Sequence, residues 1–314
     1  DNFECLNSKE CIGFREMFSK CKSLKELNFG PDFQMTQFLK FDYTIHEYVN
    51  SPTNNPVKFF EDCKSLTTID LTYPFADLSN CVDLSNFFTG CINLETITMP
   101  SSLNTSNVTR MSCMFSNCQK LSDASFLTSF NTENVTDMSH MFNSLASGTS
   151  EIELDLSKFD THNVTTMYGM FYGSNIKNLN LSSFTSDKLT TVGSMFLGSR
   201  VQNIEFGDNF TLENVQSTNG MFQNCFFLQS LDLSHFRPVN LTSCADMFAM
   251  TSKYTKQKLV SIDFGSDFKL NAECDVTNAL YSYFEYEDTL TIKCDSTTKD
   301  LLNKDTSGRN LDHT

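Results

Sequence analysis

Three features of the 314-residue sequence predict an α/β solenoid. The first is a dipeptide that recurs. Met-Phe stands at Met17-Phe18, Met114-Phe115, Met141-Phe142, Met170-Phe171, Met195-Phe196, Met221-Phe222 and Met247-Phe248, with Phe59-Phe60 and Phe87-Phe88 as degenerate copies. From Phe60 onward the copies are 25 to 29 residues apart. The second is an L-x-x-L-x-L segment after each copy. The third is length. One compact core stops growing near about 250–300 residues, whereas stacked units enlarge their core with every repeat.

Each unit is read in chain order. A Phe lies 12 residues before the repeat Phe, at Phe130, Phe159, Phe184, Phe210 and Phe236, with Phe268 as a further copy and Leu103 in its place once. A Val or Leu follows at offset −7 (Val108, Val135, Val164, Leu189, Val215, Leu241) and often a Met at −4 (Met111, Met138, Met167). Offsets of 7, 4, 1 and 0 share one face of a helix, so a short helix is expected here. Ser, Thr and Asn residues just ahead, as in 104–109, suit its N-cap. The L-x-x-L-x-L segment (Leu66/Ile69/Leu71, Leu94/Ile97/Met99, Leu228/Leu231/Leu233) alternates and reads as a strand with one face inward. Strand plus short helix about every 26 residues is the leucine-rich-repeat pattern, with a parallel sheet on the concave face and helices on the convex face. About ten rungs are expected, the last at 289–293. Residues 1–22 read as an N-terminal cap, 31–58 as an insertion, 59–265 as regular repeats and 266–314 as a C-terminal cap and tail, all within one solenoid.

The phrase from Leu154 to Phe171, LDLSKFDTHNVTTMYGMF, resembles the repeat "LDLSxFDTSNVTxMxxMFxxC" of the BspA-like bacterial surface proteins. Residues 121–142 and 228–248 are looser copies, and the likeness covers roughly 60–270. The resemblance implies a secreted or surface-anchored protein that adheres to host molecules or other cells. The chain departs from ordinary leucine-rich repeats where an Asn ladder caps the turn. Phe184 and its equivalents stand there, and they are expected to stack in its place.

Composition limits the function. The formal net charge of −15 argues against the basic footprint of a nucleic-acid or anionic-membrane binder. No apolar run approaches the roughly 20 residues of a membrane span. Asp1 is not a Met, so a segment upstream of it is expected. Five of the 12 cysteines (Cys21, Cys63, Cys91, Cys118, Cys225) fall three residues after the repeat Phe and read as a buried column of reduced thiols. Cys5–Cys11 and Cys274–Cys294 are candidate cap disulfides. With no C-x-x-C, scattered His residues and no catalytic motif, neither a metal, a cofactor nor an enzyme activity is expected.

Seven N-x-S/T sequons occur, at Asn104, Asn107, Asn134, Asn163, Asn180, Asn209 and Asn240. They read as candidate glycosylation sites or as capping asparagines. On the strands, the residues flanking the middle apolar position face solvent. Glu26, Asp70, Asp123, Glu153, Asp155, Glu205, Asp232 and Asp263 form an acidic strip there. The insertion concentrates Phe38, Phe41, Tyr43 and Tyr48. The expected function is therefore a non-enzymatic surface or secreted binding protein that presents the acidic sheet and the aromatic insertion to a protein or glycan. The alternative is a structural subunit that assembles through its caps or insertion.

Overall fold

The structure, a computed structural model, describes residues 15–30, 55–75, 78–101, 103–149, 151–252, 255, 258–282 and 290–303, and the backbone of 39–42 and 47–50. The chain is a parallel-strand β-solenoid of about eight turns with little helix. Strands β1 (Leu39–Asp42) and β2 (Glu47–Asn50) form an antiparallel ribbon inside the expected insertion. The strands of the repeat are β3 (Thr68–Asp70), β4 (Thr96–Thr98), β5 (Asn178–Leu181), β6 (Asn203–Phe206), β7 (Ser230–Asp232), β8 (Ser261–Asp263) and β9 (Thr291–Lys293). They pair in parallel as β3–β4, β5–β6 and β7–β8–β9, in register by repeat position, as in Leu231 against Ile262 and Ile262 against Ile292. Helix α1 (Ser296–Asn303) closes the described chain.

Among the described residues of the repeats, the expected convex helices are not found. Residues 15–20, 57–62, 85–90 and their counterparts are runs of tight turns. All but the last, at Phe248, carry left-handed residues two before and two after the repeat Phe: Asn86 and Gly90 around Phe88, Cys113 and Asn117 around Phe115, Gly169 and Gly173 around Phe171. Two positive-φ residues four apart cannot belong to an α-helix, and they explain why Gly recurs at these two positions. Every second N–H instead points sideways. Phe88 donates to Met114, Phe115 to Met141, Phe142 to Met170, Phe171 to Met195 and Phe196 to Met221, all at 2.8–3.0 Å. A helix is about 10 Å across, but strand-paired turns repeat every 4.8 Å or so; a run of turns fits that spacing and bonds laterally, and a stack of helices does not.

The repeat Phe side chains form one continuous stack. Nine rings, Phe18, Phe60, Phe88, Phe115, Phe142, Phe171, Phe196, Phe222 and Phe248, lie 5.3 to 6.0 Å apart between neighbours and within 19° of parallel. This corrects the expectation that Phe184 and its equivalents carry the stacked ladder. Phe184 is fully buried, and its equivalents Phe210 and Phe236 meet at 58°. The methionines Met111, Met138, Met141, Met167, Met170, Met195 and Met221 are buried beside the stack, in a single apolar core that runs from Phe18 to Leu302.

Polar letters of the repeat phrase form further ladders. Buried Thr105, Thr132 and Thr161 each donate to a carbonyl of the next turn and accept a backbone N–H there: Thr132 Oγ1 to Asp160 O at 2.9 Å, and Asp160 N to Thr132 Oγ1 at 2.8 Å. Asn107, Asn134, Asn163, Asn214 and Asn240 donate their amides to carbonyls of the preceding turn. Thr109, Thr136, Thr165 and Thr242 donate hydroxyls the same way. The N-V-T triplets therefore bond from turn to turn and cap no helix.

The thiol column is a ladder as well. Cys63, Cys91, Cys118 and Cys225 are buried and donate to the carbonyl of the previous repeat Phe at 3.0–3.4 Å, whereas Cys21 is exposed. Burial pushes the Cys63 and Cys225 thiols up to about 12, and Cys91 and Cys118 upward too.

Two outcomes follow. Thr132→Val keeps the shape but strands the Asp160 N–H and carbonyl; it should cost about 1–3 kcal/mol in urea unfolding, and Thr132→Ser far less. Native alkylation at pH 8 should label Cys21 and spare Cys63, Cys91, Cys118 and Cys225, as read by peptide mass mapping. Because these thiols have raised pKa values in the fold, their contribution to stability is full below the ordinary thiol value near 8.5 and is lost as pH rises toward 12.

Candidate functional site

The solvent-facing strip on the strands is built by the turn that ends each strand. Asp70, Asp123, Asp155, Asp232 and Asp263 each accept, through one carboxylate oxygen, the N–H two residues on: Thr72, Ser125, Ser157, Ser234 and Gly265, at 2.8–3.0 Å. Asn180 does the same with Ser182. This Asx turn breaks the strand and starts the next corner, which is why Asp and Asn recur at the position after the middle apolar residue. The Ser125 backbone N–H and hydroxyl hold the Asp123 carboxyl below the usual carboxylate range. The hydroxyl and N–H of Ser157 and Ser234 do so for Asp155 and Asp232. These carboxylates are thus ionised down to acid pH with one oxygen committed to the fold.

The structure separates the strip into parts. Glu26, Asp70, Glu153, Glu205 and Asp232 are exposed on or beside parallel-paired segments. Asp123 lies just ahead of a 3-10 turn (Ser125–Ser129) rather than in a strand, because Ala124 stands where other units carry a large apolar residue. Asp155 follows an isolated bridge between Ile152 and Ile176. Asp263 is half-buried and its free oxygen meets Lys293 Nζ at 2.8 Å, so the strip ends in an ion pair at β9. Glu205 accepts the Asn180 amide at 3.1 Å.

Other predicted residues fall elsewhere. Cys274 and Cys294 carry free thiols; Cys274 instead sits hydrogen-bonded beside Cys244 of the preceding turn. Cys5, Cys11, Phe38 and Tyr43 lie outside the described residues, and for Phe41 and Tyr48 only their places in β1 and β2 are described. Asn104 accepts the Ser106 N–H in an Asx turn. Asn209 is exposed. Among the described residues no three His, Cys, Asp or Glu side chains are grouped to hold a metal ion, and no helix is long and apolar enough to cross a membrane.

Sequence reasoning did not single out Phe227. It is half-buried at a position that carries Ser23, Ser65, Asn93 and Lys120 in other units, and that departure from the repeat is the signal that marks it.

Fold and ladders together define a leucine-rich-repeat-type β-solenoid. The chain belongs to a BspA-like family described as "Mycoplasma protein of unknown function, DUF285", whose model matches residues 54–151, 82–207 and 202–273. Two solved structures are similar. One is a leucine-rich cell surface protein from Faecalibacterium prausnitzii A2-165, 16% identical over 90% of this chain and 76% of that chain, with a TM-score of 0.33. The other is a leucine-rich repeat protein from Bacteroides ovatus ATCC 8483, 13% identical over 86% of this chain and 69% of that one, with a TM-score of 0.26. No curated protein matches the chain.

Asp232 separates turn chemistry from charge. Asp232→Ala should lower unfolding free energy by about 1 kcal/mol, the scale of a lost side-chain cap, and Asp232→Asn should keep the turn bond. Its depressed pKa adds stability above about pH 4 that is lost as pH falls through the lower folded value. Acid unfolding followed by circular dichroism should therefore be shallower in the Asn variant than in the parent.

Proposed function

We propose that this chain is a non-enzymatic, surface-exposed or secreted binding module whose sheet face engages a protein partner through its row of carboxylates. One observation carries the reading. At the same repeat position in four units, Asp70, Asp123, Asp155 and Asp232 spend one oxygen on an Asx turn, and all four are exposed. The turn bond fixes each carboxylate in place, so the row meets a partner without losing side-chain freedom on binding. Among the described residues from Glu26 to Asp232, no Lys or Arg stands at the strand positions that flank the middle apolar residue, which makes this row complementary to a basic surface and favours association at low salt. The aromatic insertion, with Phe38, Phe41, Tyr43 and Tyr48, is the second contact region in this reading. A surface location accords with the BspA-like family to which the chain belongs.

The test is binding of the labelled chain to intact animal cells. The triple variant Asp123→Asn, Asp155→Asn, Asp232→Asn keeps every turn bond and removes three charges. Expected is a loss of binding with the fold retained by circular dichroism and only a small drop in melting temperature, with parent binding falling as salt rises. Equal binding of parent and variant would sink the acidic-face reading.

A further inference from the structure

One groove breaks the acidic character of the molecule. It is an open groove of about 350 Å3 lined by Thr149, Glu151, Asn175, Arg200, Gln202 and Phe227. This volume sits at the lower end of the roughly 300–1,000 Å3 of small-ligand sites. Its floor is set by buried Asn175, which donates its amide to Thr149 O at 2.9 Å and so ties two turns together.

Its charges are unusual for this chain. The Arg200 guanidinium carbon lies 5.9 Å from the centre of the Phe227 ring and Lys258 Nζ lies 5.2 Å from it, so one aromatic ring supports two cations. The other arginines among the described residues, Arg15, Arg110 and Arg237, each lie within 4.0 Å of a carboxylate. Arg200 and Lys258 have no such partner among the described residues, in a sequence with 38 Asp and Glu. The carboxylate that does line the groove, Glu151, is engaged by Lys177 Nζ at 3.6 Å. Among the described residues, Arg200 is thus the one cation that lines the groove, with Lys258 beside the same ring and Lys177 paired with Glu151.

We propose that this groove is a binding site for a small hydroxylated carboxylic acid of the sugar-acid class. Arg200 presents a planar fork of donors that matches a carboxylate, and the Phe227 ring holds that fork in place. Lys258 adds a second positive charge on the same ring. Glu151 and Gln202, which line the groove, supply acceptors and a donor for ligand hydroxyls. Glu151 repels a dianion such as phosphate more than it repels a monocarboxylate, because the repulsion scales with ligand charge. The inference does not depend on the acidic sheet face.

The test is calorimetric titration of the full chain with glucuronate, methyl glucoside, succinate and inorganic phosphate. Expected is saturable binding of glucuronate, with the uncharged glucoside, the hydroxyl-free succinate and phosphate each weaker by about tenfold or more. Arg200→Gln and Phe227→Leu should each weaken glucuronate by about tenfold at unchanged melting temperature. The sheet-face triple Asn variant should bind it like the parent. A hyaluronan tetrasaccharide that binds more tightly than free glucuronate assigns the acid to a glycan chain; equal or weaker binding assigns it to the free sugar acid. Failure to bind glucuronate, phosphate binding as tightly, or an Arg200→Gln variant that binds like the parent would overturn the proposal.

Discussion

The distance between neighbouring turns governs this structure. Parallel strands such as β7, β8 and β9 fix it at about 4.8 Å, and everything else in a unit must repeat at a compatible spacing. A phenylalanine ring can do so. Parallel rings slide sideways until their centres are 5.3 to 6.0 Å apart, within the range that aromatic pairs prefer. Backbone turns can do so too, when every second N–H is turned outward to the next carbonyl. An α-helix cannot, and the two left-handed residues per turn are what replace it. The Phe stack, the thiol column, the Thr column and the Asn column are four solutions to one spacing.

That constraint explains how much could be read from the sequence. Repeat length, strand placement and the core phrase were legible because apolar side chains recur at fixed offsets, and burial follows offset. The thiol column was legible for the same reason. The helix was misread because offsets of 7, 4, 1 and 0 record only which residues face inward. They do not record where the N–H groups point. The clue lay in Asn86 and Gly90, Cys113 and Asn117, Gly169 and Gly173, whose shared positions tolerate positive φ only as single residues. The stacked Phe column was assigned to Phe184 rather than Phe171 because both columns are invariantly aromatic over several units, and a sequence does not give ring angles.

The acidic strip shows a second limit. Charge at Asp70, Asp123, Asp155 and Asp232 reads in the sequence as a surface property. In the structure the same carboxylates are turn-forming groups, each tied to the N–H two residues on. Asn180 occupies the same position with the same bond and no charge, so the fold requires the oxygen and not the ionisation. Negative charge beyond that requirement is where a functional explanation begins. The sequons divide in the same way. In Asn107-Val-Thr109 and Asn134-Val-Thr136 the amide and the hydroxyl both serve carbonyls of the preceding turn, so lateral bonding alone accounts for the triplet.

In a repeat protein the informative residues are therefore those the spacing rule does not demand. Leu, Phe, Met, Thr and Asn at their regular offsets are spent on holding one turn to the next. Arg200 and Phe227 are not: neither extends a ladder, and Phe227 replaces a small or polar residue at its offset. Lys188 is the contrasting case. It stands in the Asn column and donates to Asn163 Oδ1 at 2.5 Å, so a charged residue there still serves the ladder. A departure that restores a lateral bond is a structural variation, and one that sets a cation over an aromatic ring with no carboxylate partner among the described residues is not demanded by the stack. By that criterion the edge near Arg200 and the carboxylates of the sheet face are distinct surfaces, of opposite charge, carried by one rigid stack.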